Sequence, residues 1–397
     1  MRLQSSSQAV LTTEDWQNSG FGLYLHWPFC QAKCPYCDFN SHVSDKVDQL
    51  RWLSAFRSEI ARYGALTKGR VLNTIFFGGG TPSLMQPDTV AGILEAARKT
   101  WTFANDIEIS LEANPTSIEA AKFAAFRDAG VNRVSMGMQA LNDNDLKRLG
   151  RLHSVADGKR AFEIARHSFD RVSFDLIYAR QDQTLAQWEA ELREALSMAV
   201  DHLSLYQLTI EEGTAFGARY DRGLLRGLPD DDVSADMYEL TQELCVEHGF
   251  AGYEVSNHAK GGAFSKHNMI YWTYGDYVGI GPGAHGRVTI KGEKRATTTS
   301  LMPDAWLNQV ELTGSGDATS EVVSPADQTV EMLMMGLRVE QGVDLKRLEP
   351  LQRNRHFLNN INSLKDMGLI DVEGGFLKVR SKGKPLLNAI LRELLVD

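Results

Sequence analysis

The chain is predicted to be an α/β protein with a parallel sheet, open or closed into a barrel, followed by a smaller α+β module. Three observations predict this. Six short apolar runs alternate with amphipathic stretches between residues 21 and 208. The alternation then gives way to a Gly-rich, charged stretch. And 397 residues are more than one ordinary core requires.

In order, residues 21–26 read as a first strand leading into a cysteine-bearing loop. Residues 45–66 read as a helix, because Leu50, Leu53, Phe56 and Ile60 recur at steps of three and four. Residues 71–77 are a buried strand ended by Gly78, Gly79 and Gly80, and a helix fits 88–100. Strand 106–111, helix 117–129, strand 133–138 and helical stretches over 143–168 follow. Strand 171–177, helix 185–200 and strand 202–208 complete the alternation. Residues 211–232 read as an inserted loop or hairpin, 233–248 as a helix and 315–324 as a linker. The remainder shows three helical patterns, a hairpin over 370–379 turning on Gly374 and Gly375, and a last helix, which is winged-helix-like. The expected division is a flexible segment over 1–20, a barrel over 21–235, a distinctive region over 236–320 and the module over 321–397.

Composition narrows the function classes. Hydrophobic residues make up 43% and charged residues 23%, a soluble globular balance. The net charge of -9 argues against a nucleic-acid partner. From Glu340 onward the excess of basic over acidic residues is only two, too weak a footprint for DNA. Residues 1–20 do not read as a secretory signal, and no apolar run reaches the ~20 residues a bilayer span needs. The expected compartment is the cytoplasm.

Of four cysteines, Cys30, Cys34 and Cys37 fall within eight residues as C-x3-C-x2-C; Cys245 stands apart. Thiolates suit zinc or an iron–sulfur cluster. A structural zinc closes a four-ligand shell, and His26 or His42 is available to complete one. A [4Fe–4S] cluster held by three cysteines instead leaves one iron open to another ligand. Polar residues also gather where strands end, at Glu112, Gln139 and Asp175, each of which alone reads as a hydrogen-bonded loop entry.

C-x3-C-x2-C after a first strand resembles the radical SAM superfamily. That resemblance implies a partial, three-quarter β/α barrel, a [4Fe–4S] cluster on Cys30, Cys34 and Cys37, and S-adenosylmethionine on the open iron. The match continues through Y-L-H-W-P-F-C at 24–30, G-G-G-T-P-S at 78–83, E-A-N-P at 112–115, R-V-S-M-G-M-Q at 133–139 and S-F-D-L-I at 173–177. Together these resemble the coproporphyrinogen III oxidase-like group over residues 21–397. By position, the family's cofactor contacts fall on Tyr24, Tyr36, Gly79, Gly80, Thr81, Glu112, Gln139, Arg151 and Asp175.

The oxidase itself carries a further cysteine two residues after the third, where this chain has Phe39, and a longer N-terminal extension. H-N-x-x-Y-W at 267–272 is similar to the haem-binding motif of the HemW haem chaperones. The resemblance implies haem as a ligand, His267 as its binding residue, and delivery to haem-requiring respiratory proteins at the cytoplasmic membrane face. A homodimer is compatible with it, although no interface can be read from the residues. On the residues alone, His267 reads more readily as a satisfied histidine in an aromatic cluster, with Tyr271, Trp272, Tyr274 and Tyr277 nearby; the resemblance reverses that preference. The alternative function is an oxygen-independent coproporphyrinogen III oxidase. A zinc-stabilised binding protein is the reading without redox chemistry. Cys245 with His248 sits at i, i+3 on one helix and more often means simple burial. His258 and His285 flank Gly-rich loops and receive no assignment.

Overall fold

The computed structural model describes residues 14–44, 46–351 and 356–395; the N-terminal segment expected to be flexible lies mostly outside them. Six strands alternate with helices as expected. They are β1 (Phe21–Trp27), β2 (Val71–Gly79), β3 (Thr102–Ala113), β4 (Arg133–Gln139), β5 (Arg171–Tyr178) and β6 (His202–Gln207). All six run parallel. They belong to a twelve-stranded sheet that does not close among the described residues, an open, partial barrel.

Hydrophobic alternation explains the layers. The β1 strand is buried on both faces apart from Tyr24, as a strand between helices and barrel interior must be. The first helix, α1 (Gln49–Leu66), buries Trp52, Phe56, Ile60 and Tyr63, and Asp48 caps it by accepting from Arg51 N. The second, α2 (Pro87–Thr100), begins on a proline and packs beside α1.

Helices α3 (Ser117–Ala120) and α4 (Phe123–Ala129) replace the single helix expected over 117–129. Glu119 turns to Ser83 and Lys122 to the carbonyls of Ser83, Leu84 and Met85, so the chain breaks between them. Helices α5 (Asp143–Arg148) and α6 (Val155–Ser168) are parted at Gly150, whose φ is 69°. A Cβ there would stand 2.7 Å from the Pro35 ring, so the break lets this segment close on the cysteine loop. Helix α7 (Leu185–Met198) follows β5.

After β6, residues 211–232 form no hairpin; they hold a short helix, α8 (Ala215–Tyr220), whose Phe216 N donates to Pro35 O at 2.8 Å. Helix α9 (Asp231–Glu247) buries Cys245 in the main core, where burial pushes its thiol up to about 12. Strands β7 (Ala251–Gly252) and β8 (Asn257–Ala259) finish that edge of the sheet. Helix α10 (Lys266–Trp272) precedes β9 (Asp276–Ile280), which pairs parallel with β1 on its other side. Strands β10 (His285–Ile290) and β11 (Glu293–Thr299) then run antiparallel outward.

Helix α11 (Pro303–Thr313) lays Trp306 on Trp52, with ring centroids 5.4 Å apart. The expected linker at 315–324 is instead the edge strand β12 (Asp317–Val322). Its polar residues misled because an edge strand is mostly solvent-facing; Asp317 anchors it by accepting from Arg62 and Tyr63.

The C-terminal module comprises α12 (Pro325–Gly336), β13 (Val343–Asp344), α13 (Leu345–Leu348), α14 (Phe357–Asp366), β14 (Ile370–Glu373), β15 (Phe376–Val379) and α15 (Leu387–Leu395). The three strands form a sheet in the order β13–β15–β14, and the β14–β15 hairpin turns on Gly374 and Gly375 at φ 60° and 88°. Leu333, Phe357, Ile361, Ile370, Leu377 and Leu394 make its core, and Tyr274 from the barrel side joins it. Among the described residues no helix is long and apolar enough to cross a membrane.

Candidate functional site

Because the six strands are parallel, their C-terminal ends share one rim. The register sets Trp27 beside Gly79, Phe77 beside Leu111, Glu112 beside Ser135 and Asp175 beside Ser204. The cysteine loop leaves β1 and is closed by a short parallel pairing of Phe29 and Cys30 with His42 and Val43. Cys37 N donates to Cys34 O at 3.2 Å, a tight turn inside the loop.

Two adjoining cavities open at this rim. The smaller, about 150 Å³, gathers Cys30, Cys34, Tyr36, Cys37, Gly79, Gly80, Thr81, Glu112, Gln139, Arg151 and Asp175. Eleven of the thirteen candidate residues from the sequence therefore line one cavity; Tyr24 and His267 do not. Tyr24 lines the larger, about 670 Å³, which shares Gly79, Glu112 and Phe39 with the smaller.

The sulfurs have donors around them. Thr81 Oγ1 lies 3.4 Å from Cys30 Sγ, and Arg151 Nη1 lies 3.4 Å from Cys34 Sγ. Arg151 Nη2 donates to Asn114 Oδ1 at 2.5 Å and Gly137 O at 2.9 Å, and Asn114 Nδ2 donates to Thr81 Oγ1 at 3.1 Å. Burial pushes the Cys30 and Cys37 thiols up, with neighbouring cysteines adding to it and hydrogen bonds from Thr81, Ser41 and the Phe39 backbone resisting. Of the two histidine candidates for a fourth zinc ligand, His26 has both ring nitrogens engaged and His42 has one. His26 bonds Tyr24 Oη and Asn40 O at 2.9 Å each, and His42 Nε2 meets Asn40 Oδ1 at 3.2 Å. A soft-ligand cradle with hydrogen-bond donors to its sulfurs fits an anionic iron–sulfur cluster.

Glycine is required at the cavity wall. Gly79 has φ 110°, and a Cβ on it would sit 2.6 Å from the His26 ring. A Cβ on Gly80 would sit 2.8 Å from Phe29 O and 3.0 Å from Cys30 Sγ. Gly79 N donates to Glu112 Oε2 at 3.2 Å. Burial and the nearby Asp175 carboxylate push Glu112 up to about 8; burial raises Asp175 to about 6, with Ser204, Arg133 and Ser135 resisting. Both carboxyls line the cavity that holds the three cysteines. Gln139 is held at φ 67°, local strain of the kind stored at functional sites.

The larger cavity is walled by aromatics. Tyr271 and Trp272 of the H-N-x-x-Y-W motif line it with Tyr274 and Tyr277, as do His26, His285, Arg287, Glu331, Met334 and Met335. His267 lines neither cavity. It is fully buried; one ring nitrogen meets Thr74 Oγ1 at 2.6 Å and the other meets Tyr271 Oη at 2.6 Å. It stacks on Phe76 at 5.1 Å, and burial with the Arg133 charge pushes its pKa down to about 3. Its visible work is to hold the Tyr271 hydroxyl.

Sequence reasoning missed Asn114 as a site residue, although its place two residues beyond Glu112 at the end of β3 was a usable signal. Ser135, which donates to Asp175 at 3.3 Å, lay in a quoted motif without a role. Arg287, Glu331, Met334 and Met335 had no local signal, because β10 and α12 meet only in the fold.

A partial parallel barrel with three cysteines on the loop after its first strand defines the class: residues 24–195 match the Radical SAM superfamily and residues 323–386 the HemN C-terminal domain. "Heme chaperone HemW" of Haemophilus influenzae is 35% identical over 384 residues, covering 94% of this chain and 98% of that protein. The protein of that name from Escherichia coli is 39% identical over 320 residues, covering 80% and 82%. "Radical S-adenosyl methionine domain-containing protein 1, mitochondrial" of Mus musculus is 38% identical over 384 residues, covering 94% and 87%. The chain belongs to this HemW family. Coproporphyrinogen III oxidase (HemN) from Escherichia coli shares the fold, with a TM-score of 0.79 at 21% identity, covering 95% of this chain and 90% of that one.

Proposed function

We propose that the chain binds haem and passes it to haem-requiring proteins, respiratory enzymes among them, on a scaffold that also holds a [4Fe–4S] cluster and S-adenosylmethionine. One observation carries the reading: a large aromatic cavity, walled by Tyr271 and Trp272, shares Gly79, Glu112 and Phe39 with the cysteine cavity. Flat aromatic walls suit a planar apolar ligand. The names of the bacterial relatives support haem as that ligand. We assign the cytoplasm as the compartment, with an organelle as the alternative raised by the mitochondrial relatives.

In this proposal Cys30, Cys34 and Cys37 hold the cluster, while Tyr24, Tyr36, Gly79, Gly80, Thr81, Glu112, Gln139, Arg151 and Asp175 receive S-adenosylmethionine. When bound, that pair supplies reductive cleavage of the sulfonium to a deoxyadenosyl radical. The side chains do the rest. Thr81 and Arg151 donate to sulfur and steady negative charge there. Gly79 and Gly80 keep the wall open for close approach. Glu112 and Asp175 supply carboxylates that ammonium, sulfonium or ribose hydroxyls satisfy. Phe39 stands where the two cavities meet, in place of the oxidase's further cysteine.

The test is anaerobic reconstitution, iron and sulfide analysis, haem titration and assay for 5′-deoxyadenosine. Wild-type protein is expected to take up about four irons and bind haem; Cys30→Ala is expected to lose most of the iron. Zinc without sulfide, or no haem uptake, would overturn the reading.

A further inference from the structure

We propose that His285, the first residue of β10, is the imidazole that binds the haem iron in the larger cavity, and that His267 is a positioning residue acting through Tyr271. The proposal rests on the haem reading above and adds the ligand to it.

Three imidazoles lie at or next to this cavity, and the structure separates them. Both ring nitrogens of His26 are engaged, by Tyr24 Oη and Asn40 O. Both of His267 are engaged, by Thr74 and Tyr271, and its ring is wholly out of contact with solvent. His285 lines the cavity, is exposed there, and its ring makes no hydrogen bond among the described residues. A ligand nitrogen must be neutral and unoccupied before it meets a metal. Of the three, His285 is the one whose ring nitrogens are unoccupied among the described residues and stand at the cavity.

Its backbone is also well placed. His285 pairs with Thr298 on β11, and Gly279 lies so close that a Cβ there would stand 2.0 Å from His285 O. That contact fixes the start of β10 against β9. Tyr271 and Trp272 supply aromatic wall, and Met334 and Met335 of α12 supply soft, adaptable apolar surface. His267 serves this wall from behind, because its bond to Tyr271 Oη sets where that phenol stands. The motif histidine therefore acts without touching the ligand.

The experiment titrates the full chain with ferric haem and reads the absorption and electron paramagnetic resonance spectra, with thermal melts checking the fold. His285→Gly is expected to lose the nitrogen-ligated signature, weaken haem at least tenfold, and recover the signature when free imidazole is added. His267→Gln is expected to keep that signature, with affinity falling only severalfold. An unchanged spectrum in His285→Gly, or loss of the signature in a folded His267→Gln, would overturn the ligand assignment alone. Failure of the wild-type chain to bind haem at all would overturn the haem reading together with it.

Discussion

At the scale of single residues, the chemistry of the smaller cavity depends on groups kept away from their ordinary protonation state. Glu112 is the clearest. Its folded pKa, about 8, lies above the ordinary 4.5, so the unfolded chain sheds its proton first. Stability contributed by the protonated form is present below about 4.5 and is lost as pH rises through about 8. In the metal-free chain, Glu112→Gln is expected to flatten that decline and to be more stable than wild type above pH 8, by on the order of 2 kcal/mol. Urea midpoints measured across the range check this; parallel pH profiles for the two proteins would refute it. The same carboxyl is ready to ionise when a cation enters the cavity. Cys30, Cys34, Cys37, Gly79, Gly80 and Glu112 could all be picked out beforehand, because each sits in a short motif whose spacing limits its surroundings. His267 could not be understood that way, since Thr74 and Phe76 reach it from β2.

Between elements, the sheet is extended beyond the regular alternation by β9, and one buried cluster holds it there. Asp276 is fully buried and receives Arg70 Nη1 at 2.7 Å, Lys294 Nζ at 3.2 Å and Thr289 N at 2.5 Å. These groups come from the turn before β2, from β10 and from β11, so one carboxylate ties four segments together. Removing it strands two buried cations, and Asp276→Ala is expected to cost about 3–5 kcal/mol. Asp276→Asn, which keeps an acceptor, is expected to cost less; equal urea midpoints for wild type and Asp276→Ala would show the cluster to be idle. Little of this was readable in advance. Residues 276–280 form a short run in a Gly- and aromatic-rich stretch, and 317–322 is polar enough to read as a linker. Edge strands carry a weak hydrophobic signal because only one side of them is covered.

For the whole molecule, the C-terminal module completes the larger cavity, lining it with Glu331, Met334 and Met335 of α12. Arg287 of β10 makes a two-pronged ion pair with Glu331 of α12, Nη2 to Oε1 at 2.7 Å and Nε to Oε2 at 3.1 Å, and Tyr274 Oη donates to Glu331 at 2.7 Å. Arg347 adds bonds to Asp15 at 2.8 Å and Thr273 O at 2.8 Å. Both Arg287 and Glu331 are about a quarter exposed, so the pair is worth less than a buried one. Glu331→Ala is expected to loosen docking by about 1–2 kcal/mol. Faster native-state proteolysis near residues 322–324, with the barrel's own unfolding midpoint unchanged, is the outcome to look for. A loss of barrel stability instead would mean that the module is part of the barrel's folding unit.

The sequence by itself determined the parallel six-strand core, the cysteine loop, the glycine wall and the acidic rim. Those features rest on periods of two and of 3.6 residues and on spacings of a few residues, which neighbouring side chains enforce locally. Tertiary structure alone decided that His267 is buried behind Tyr271 while His285 faces the cavity. It also decided that β9 to β12 extend the barrel sheet and that α12 completes the aromatic cavity. Each of these depends on contacts between residues tens to hundreds of positions apart. No local spacing constrains such contacts, because the packing that selects them forms only when the whole chain has folded.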